Sequence, residues 1–187
     1  MAQRTPDAAI DAAMQRNPRE RFLTDDQRAH AALDRALPLM RGQTCSQPTT
    51  VRNLLRLLDV RPGQRILDVG SGSGWTTALL ATLVGHEGQV LGLELEPDLV
   101  EFGSRNLSAT EHPNATIRQA VPGSLGAPEG APWDRILVSA MADELPQSLL
   151  AQLASDGVLV IPVGGQLLRV SSSGTEDHGP YLFVPLR

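Results

Sequence analysis

The feature that most narrows the folds open to this chain is the run Arg65-Ile66-Leu67-Asp68-Val69-Gly70-Ser71-Gly72-Ser73-Gly74. A strand that ends in Asp68-Val69 and turns through three alternating glycines into a helix places backbone amides at the carboxyl edge of a sheet. Doubly wound α/β folds bind nucleotides at that edge. The glycines would let a ligand approach the backbone closely. They equally suit a tight strand-to-helix turn that binds nothing, and the loop alone does not separate the two.

The flanking text agrees with such a sheet. Apolar runs and amphipathic segments alternate: strands at 65–69 and 89–95 with helices at 75–84 and 97–107, strands at 115–121 and 135–139, a helix at 144–153 and a strand at 158–162. This alternation builds parallel βαβ units, and near-continuous apolar strands suit a sheet covered on both faces. Two further apolar segments, 167–172 and 181–185, flank the polar stretch 173–180 and predict a closing antiparallel hairpin. Ahead of the sheet, residues 8–37 read as two amphipathic helices broken near Asn17-Pro18. Val51, Leu54, Leu55 and Leu58 then share one helical face, with Pro48 suited to the first turn. The expected fold is a doubly wound, mostly parallel seven-stranded α/β sheet with helices on both faces, an antiparallel C-terminal hairpin and an N-terminal helical preface. A length of 187 residues predicts one domain over 1–187, made of an N-terminal helical and loop segment at 1–48 and a ligand-binding core at 49–187.

Composition removes several classes of function. The formal net charge is -5 and the basic residues are scattered, so no nucleic-acid partner is expected; a protein or peptide partner fits better. No apolar stretch approaches the roughly 20 residues needed to cross a bilayer. Residues 1–15 lack the apolar centre of a secretory signal, which points to a cytoplasmic location; a monomer is expected. The single cysteine, Cys45, has no disulfide or zinc partner and reads as a small buried residue, so no metal is expected. His30, His86, His112 and His178 follow no recurring spacing and read as surface residues.

Two details refine the glycine loop. Its spacing is G-x-G-x-G, unlike the G-x-G-x-x-G that seats a pyrophosphate on a helix N-terminus, so a ligand without phosphate is favoured. S-adenosylmethionine (AdoMet) is such a ligand. Glu94 ends the next apolar strand, where a carboxylate can accept hydrogen bonds from both ribose hydroxyls. The candidate cofactor residues are Asp68, Gly70, Ser71, Gly72, Ser73, Gly74 and Glu94. Glu96 and Asp98 stand nearby, and there the simpler reading is favourable charge at the N-terminus of the helix opened by Pro97.

Upstream, Thr44, Ser46 and Thr49 set three hydroxyls around a predicted helix start, where free N–H groups favour an anion such as a carboxylate. Ser46 could instead be an ordinary helix N-cap. The strings Arg41-Gly42-Gln43-Thr44-Cys45-Ser46-Gln47-Pro48 and Ile66-Leu67-Asp68-Val69-Gly70-Ser71-Gly72-Ser73-Gly74-Trp75 together resemble the protein-L-isoaspartate O-methyltransferase family. Pro18-Arg19-Glu20-Arg21-Phe22, Asp34 to Pro38, Ala131-Pro132-Trp133-Asp134-Arg135-Ile136, Val160-Ile161-Pro162-Val163-Gly164 and Phe183-Val184-Pro185-Leu186 resemble it in the same order. The resemblance implies an AdoMet-dependent enzyme that esterifies the free carboxylate of L-isoaspartyl residues in damaged proteins or peptides. It implies Ser46 and Thr44 as the catalytic, substrate-side pair.

The chain also departs from the pattern. Ala120-Val121-Pro122-Gly123 stands where the family has a Gly-Asp-Gly turn whose aspartate helps hold adenine, and Met40-Arg41 replaces a glycine-aromatic pair. These changes leave open a divergent paralogue, one that methylates another peptide or small-molecule carboxylate, or a non-catalytic AdoMet- or protein-binding module.

Overall fold

The computed structural model describes residues 5–187; the first four residues of the N-terminal stretch read above lie outside the described residues. The chain opens with helix α1 (Asp7–Arg16), two single 3-10 turns and a two-residue ribbon of β1 (Leu37–Pro38) against β2 (Thr44–Cys45), followed by α2 (Pro48–Leu58). The core then runs β3 (Arg65–Val69), α3 (Trp75–Val84), β4 (Gln89–Glu94), α4 (Pro97–Ser108), β5 (Ala115–Gln119), β6 (Trp133–Val138), α5 (Gln147–Leu150), β7 (Leu153–Val163), β8 (Gln166–Ser171) and β9 (Gly174–Pro180).

The seven-stranded sheet has the order β5-β4-β3-β6-β7-β8-β9. The first five of these pair in parallel, and β8 and β9 are antiparallel. Strand order reverses between β3 and β6, a switch point that opens a crevice at the carboxyl ends of the strands. Side chains alternate across the sheet with the strand period of two. Ile66, Val90, Leu137, Val158 and Val160 face a core completed by Leu54, Leu55 and Leu58 of α2 and by Leu79, Leu80 and Val84 of α3. Leu67, Leu91, Ile136, Val138, Leu159 and Ile161 face the other way, against Leu149 of α5 and Trp133. The three α2 leucines are fully buried, worth roughly 1.5–3 kcal/mol each relative to exposure, and this anchors the helix that follows the hydroxyl loop.

The structure corrects the sequence reading in four places. Only the first of the two expected N-terminal helices forms. Beyond Pro18 the chain makes 3-10 turns at Arg19–Phe22 and Arg28–His30, because the carbonyls of Ala31, Leu33 and Arg35 accept from the Arg19 guanidinium and not from a helical ladder. The helix expected at 144–153 shortens to α5, since the Gln152 carbonyl accepts from the Trp133 N–H at 2.8 Å and Leu153 already pairs with Trp133 in β7. At the C-terminus the antiparallel hairpin forms, but strand and loop are exchanged. The polar stretch becomes the edge strand β9, which needs no apolar face, while the Met141 N–H donates to the Val184 carbonyl at 2.7 Å and Tyr181 and Phe183 pack on the core. Finally, His30 and His86 are exposed as read, but His178 and His112 are half-buried: His112 Nε2 lies 3.1 Å from Asn17 Oδ1 and 3.2 Å from Thr82 Oγ1, and burial lowers the His112 pKa. Among the described residues no helix is long and apolar enough to cross a membrane.

Candidate active site

A cavity of about 480 Å³ opens at the switch point, within the size range of small-molecule sites. Its walls are the glycine loop, the end of β4, the 120–126 turn, Ser139 and Ala140 after β6, the 43–46 loop and residues 184–187. Of the candidate residues, Gly70, Ser71, Gly72, Ser73, Glu94, Thr44 and Ser46 line this one space.

The loop conformation explains the glycines. Gly70, Gly72 and Gly74 have φ of 80°, 53° and 84°, a region that disfavours residues with a Cβ. Gly74 is not a wall of the cavity; it serves packing. The loop rests on α4, where a Cβ on Gly103 would stand 2.7 Å from the Gly72 carbonyl oxygen and one on Gly74 would stand 2.9 Å from the Gly103 carbonyl oxygen. Glu94 is nearly buried and fixes the other wall. Its Oε2 accepts from the Gly72 N–H at 2.9 Å, and its Oε1 accepts from the N–H groups of Leu95 at 2.7 Å and Glu96 at 3.0 Å. The carboxylate is thereby oriented at the cavity surface with lone-pair capacity remaining.

Asp68 does not line the cavity. It lies under the loop with no exposed surface, on the same sheet face as Ile66, and its Oδ2 accepts from the hydroxyls of Thr76 at 3.0 Å and Thr77 at 2.7 Å in the first turns of α3. Burial pushes its pKa up to about 6, although the two threonine hydroxyls pull the other way. Its Oδ1 is buried without a partner, as are the hydroxyls of Ser71 and Ser139. Asp68 therefore ties the glycine loop to α3 from below.

The hydroxyl loop resolves differently from either reading of its helix start. Gln47, not Ser46, precedes α2, and the anion at this N-terminus is internal: Asp34 Oδ1 accepts from the Thr49 N–H at 2.9 Å, and its Oδ2 accepts from Thr49 Oγ1 at 2.8 Å and Gln47 Nε2 at 3.1 Å. The Thr49 N–H holds the Asp34 carboxyl below the ordinary carboxylate range. Thr49 is thus occupied by Asp34, and the anion-binding end of α2 is filled. The hydroxyls of Thr44 and Ser46 have no protein partner among the described residues, and both residues face the cavity. Cys45 is buried between them, and burial pushes its thiol pKa up, which is the inert state expected of it.

Sequence reasoning missed Gly103 and Ser139, and took Arg19 and Asp34 only as parts of a resemblance. Neither of the first two belongs to a local motif; each acts across the chain. No group of three or more His, Cys, Asp or Glu side chains positioned for a metal occurs among the described residues.

A glycine loop and a strand-end carboxylate at the switch point of a seven-stranded sheet of this order define the AdoMet-dependent methyltransferase class. Comparison with known proteins narrows it further. The family model described as protein-L-isoaspartate(D-aspartate) O-methyltransferase matches residues 2–181. A protein-L-isoaspartate O-methyltransferase of Methanopyrus kandleri is 42% identical over 186 residues, covering 95% of this chain and 82% of the relative. One of Methanothrix thermoacetophila is 44% identical over 180 residues, covering 93% and 85%. A crystal structure of a putative protein-L-isoaspartate O-methyltransferase from Plasmodium falciparum in complex with S-adenosyl-L-homocysteine (AdoHcy) superposes with a TM-score of 0.86 at 27% identity, covering 98% of this chain and 92% of the other. This chain belongs to the protein-L-isoaspartate O-methyltransferase family.

Proposed function

We propose that this chain methylates the free carboxylate of L-isoaspartyl residues in peptides and damaged proteins, using AdoMet. The observation that carries the reading is the pair of hydroxyls on Thr44 and Ser46, which have no internal partner among the described residues and face the same cavity as Glu94 and the glycine loop. The cavity fits the cofactor. Its glycine wall presents bare backbone, Glu94 offers a carboxylate suited to ribose hydroxyls, and the unpartnered hydroxyls of Ser71 and Ser139 await a polar ligand.

When bound, AdoMet supplies a methyl group on a sulfonium cation, which a carboxylate oxygen can attack without acid or base assistance. The acceptor carboxyl, with an ordinary pKa near 4, is ionised at neutral pH, so the chain needs no general base. Ser46 orients the acceptor by hydrogen bonding, with Thr44 beside it. The 43–46 loop and residues 184–187 form part of the cavity wall, and water displaced from it by a bound peptide would favour the reaction, because opposite charges disappear as the bond forms. Residues 5–48 and 49–187 act as one domain on this reading, since Ile10 and Phe22 share a core with α2 and α3.

The test is transfer of labelled methyl from AdoMet to an L-isoaspartyl peptide, with the aspartyl peptide as control. The expected product is a base-labile methyl ester on the isoaspartyl peptide alone. Ser46→Ala should lower kcat about 10- to 100-fold, the loss of a hydrogen bond to a charged group, with AdoHcy affinity within about twofold. Equal labelling of both peptides, or equal loss of turnover and affinity in the variant, would contradict the proposal.

A further inference from the structure

Arg19 stands behind the hydroxyl loop, only 6% exposed, and touches neither the cavity nor any carboxylate among the described residues. Its Nη1 donates to the carbonyls of Leu33 at 3.0 Å and Ala31 at 3.4 Å. Its Nη2 donates to those of Arg35 at 2.8 Å, Cys45 at 2.9 Å and Ser46 at 2.8 Å, so one of its two hydrogens is shared. The guanidinium carbon also lies 5.6 Å from the ring centroid of Trp75, the first residue of α3 after the glycine loop, and Trp75 Nε1 donates to the Asn17 carbonyl at 2.9 Å.

We infer that Arg19 is a positioning residue for acceptor chemistry, acting through the backbone of Cys45 and Ser46. This inference rests on the functional reading above. One guanidinium joins three things: the 31–35 loop that delivers Asp34 to α2, the backbone that carries Ser46, and the base of α3 that supports the glycine loop. Ser46 is consequently held on both sides, by Arg19 at its own carbonyl and by Asp34 at Gln47 and Thr49. The separation between acceptor loop and cofactor loop is set by this contact with Trp75. Lysine cannot replace it, because an ammonium is a point charge and cannot spread planar donors over five carbonyls.

The test is a double-mutant cycle on the full chain with Arg19→Lys and Ser46→Ala, and Arg19→Gln as the alternative should the lysine variant not fold. Arg19→Lys should lower kcat for an isoaspartyl peptide about tenfold or more while AdoHcy affinity changes less than about threefold. In the Ser46→Ala background the same substitution should cost less than about twofold, because its route to the chemistry is already gone. A merely structural role would give the same fold-loss in both backgrounds, and that outcome would overturn the inference. Amide hydrogen exchange separates its failure from that of the proposed function. Over residues 43–47, exchange should rise about tenfold in Arg19→Lys relative to α3, whatever the acceptor is. Unchanged exchange there would refute the positioning role even in an active enzyme.

Discussion

Replacing Asp68 with asparagine keeps the size of the side chain and removes its charge, so it isolates the cost of ionising a carboxyl beneath the glycine loop. The native pKa is about 6 against an ordinary 3.8, chiefly through burial. About two units of difference correspond to about 3 kcal/mol. Because the folded state holds the proton more tightly than the unfolded one, the contribution is fully present below pH 4 and is lost as pH rises through 6. Above that point the wild type must bury a carboxylate, whereas the substituted amide does not titrate. Asparagine would also place an amide N–H₂ where Oδ1 lacks a partner, a cost of about 1–3 kcal/mol that is independent of pH and cancels in a comparison across pH. The stability of Asp68→Asn relative to wild type should therefore rise by about 2 kcal/mol between pH 4.5 and 7.5, the part of the total that falls in this window. Urea unfolding at both pH values reads this as a change of about 1 M in the offset between midpoints, for a slope near 2 kcal/mol/M. An offset constant to within about 0.5 kcal/mol would refute the assignment of a buried, ionising Asp68.

Two further substitutions probe the cofactor wall. Glu94→Gln leaves one oxygen for three backbone donors, two of which already share Oε1, so the Gly72 N–H loses its acceptor. Calorimetry should show AdoHcy binding weakened about 10- to 100-fold, with kcat at saturating cofactor changed less. Gly103→Ala would push a Cβ to 2.7 Å from the Gly72 carbonyl oxygen. It should cost about 1–3 kcal/mol and lower the melting temperature by several degrees in scanning calorimetry, with weaker AdoHcy binding as the loop lifts from α4.

Most of the sheet was legible because strands buried on both faces must be apolar throughout, which leaves β3, β4, β6 and β7 plain in the text. The polar edge strand β9 carries no such signal, and residues 18–37 have a helical period that the carbonyls of Leu33 and Arg35 abandon for the Arg19 guanidinium, beyond the reach of a helical turn. In the site, Gly70, Gly72 and Glu94 were legible because each is local: a strand end and the turn that follows it. The position of Asp68 was also encoded. Strand alternation puts it on the face of Ile66, beneath α3, and one place later Val69 reaches the other face. The role of Asp34, met only within a family-like segment, left no local trace, since it reaches the start of α2 across the loop that carries the hydroxyls.

The distribution of charge around the cavity follows from the proposed reaction. A carboxylate attacking a sulfonium loses its charge as the bond forms, so a guanidinium against the acceptor would stabilise the reactant more than the transition state and would repel the cofactor's cation. The cavity instead carries neutral hydroxyls on Thr44, Ser46, Ser71, Ser73 and Ser139, with Glu94 as its one carboxylate among the described residues. The single arginine on its described wall, Arg187, is tied to Glu96 at 2.6 Å. Where the fold does use a buried guanidinium near the acceptor, at Arg19, it is turned away from the cavity and its two Nη groups donate to carbonyls, with only Nε buried and unpartnered among the described residues. Charge therefore fixes the loop from behind, while the surface that meets the reacting groups stays neutral enough to position a nucleophile without quenching it.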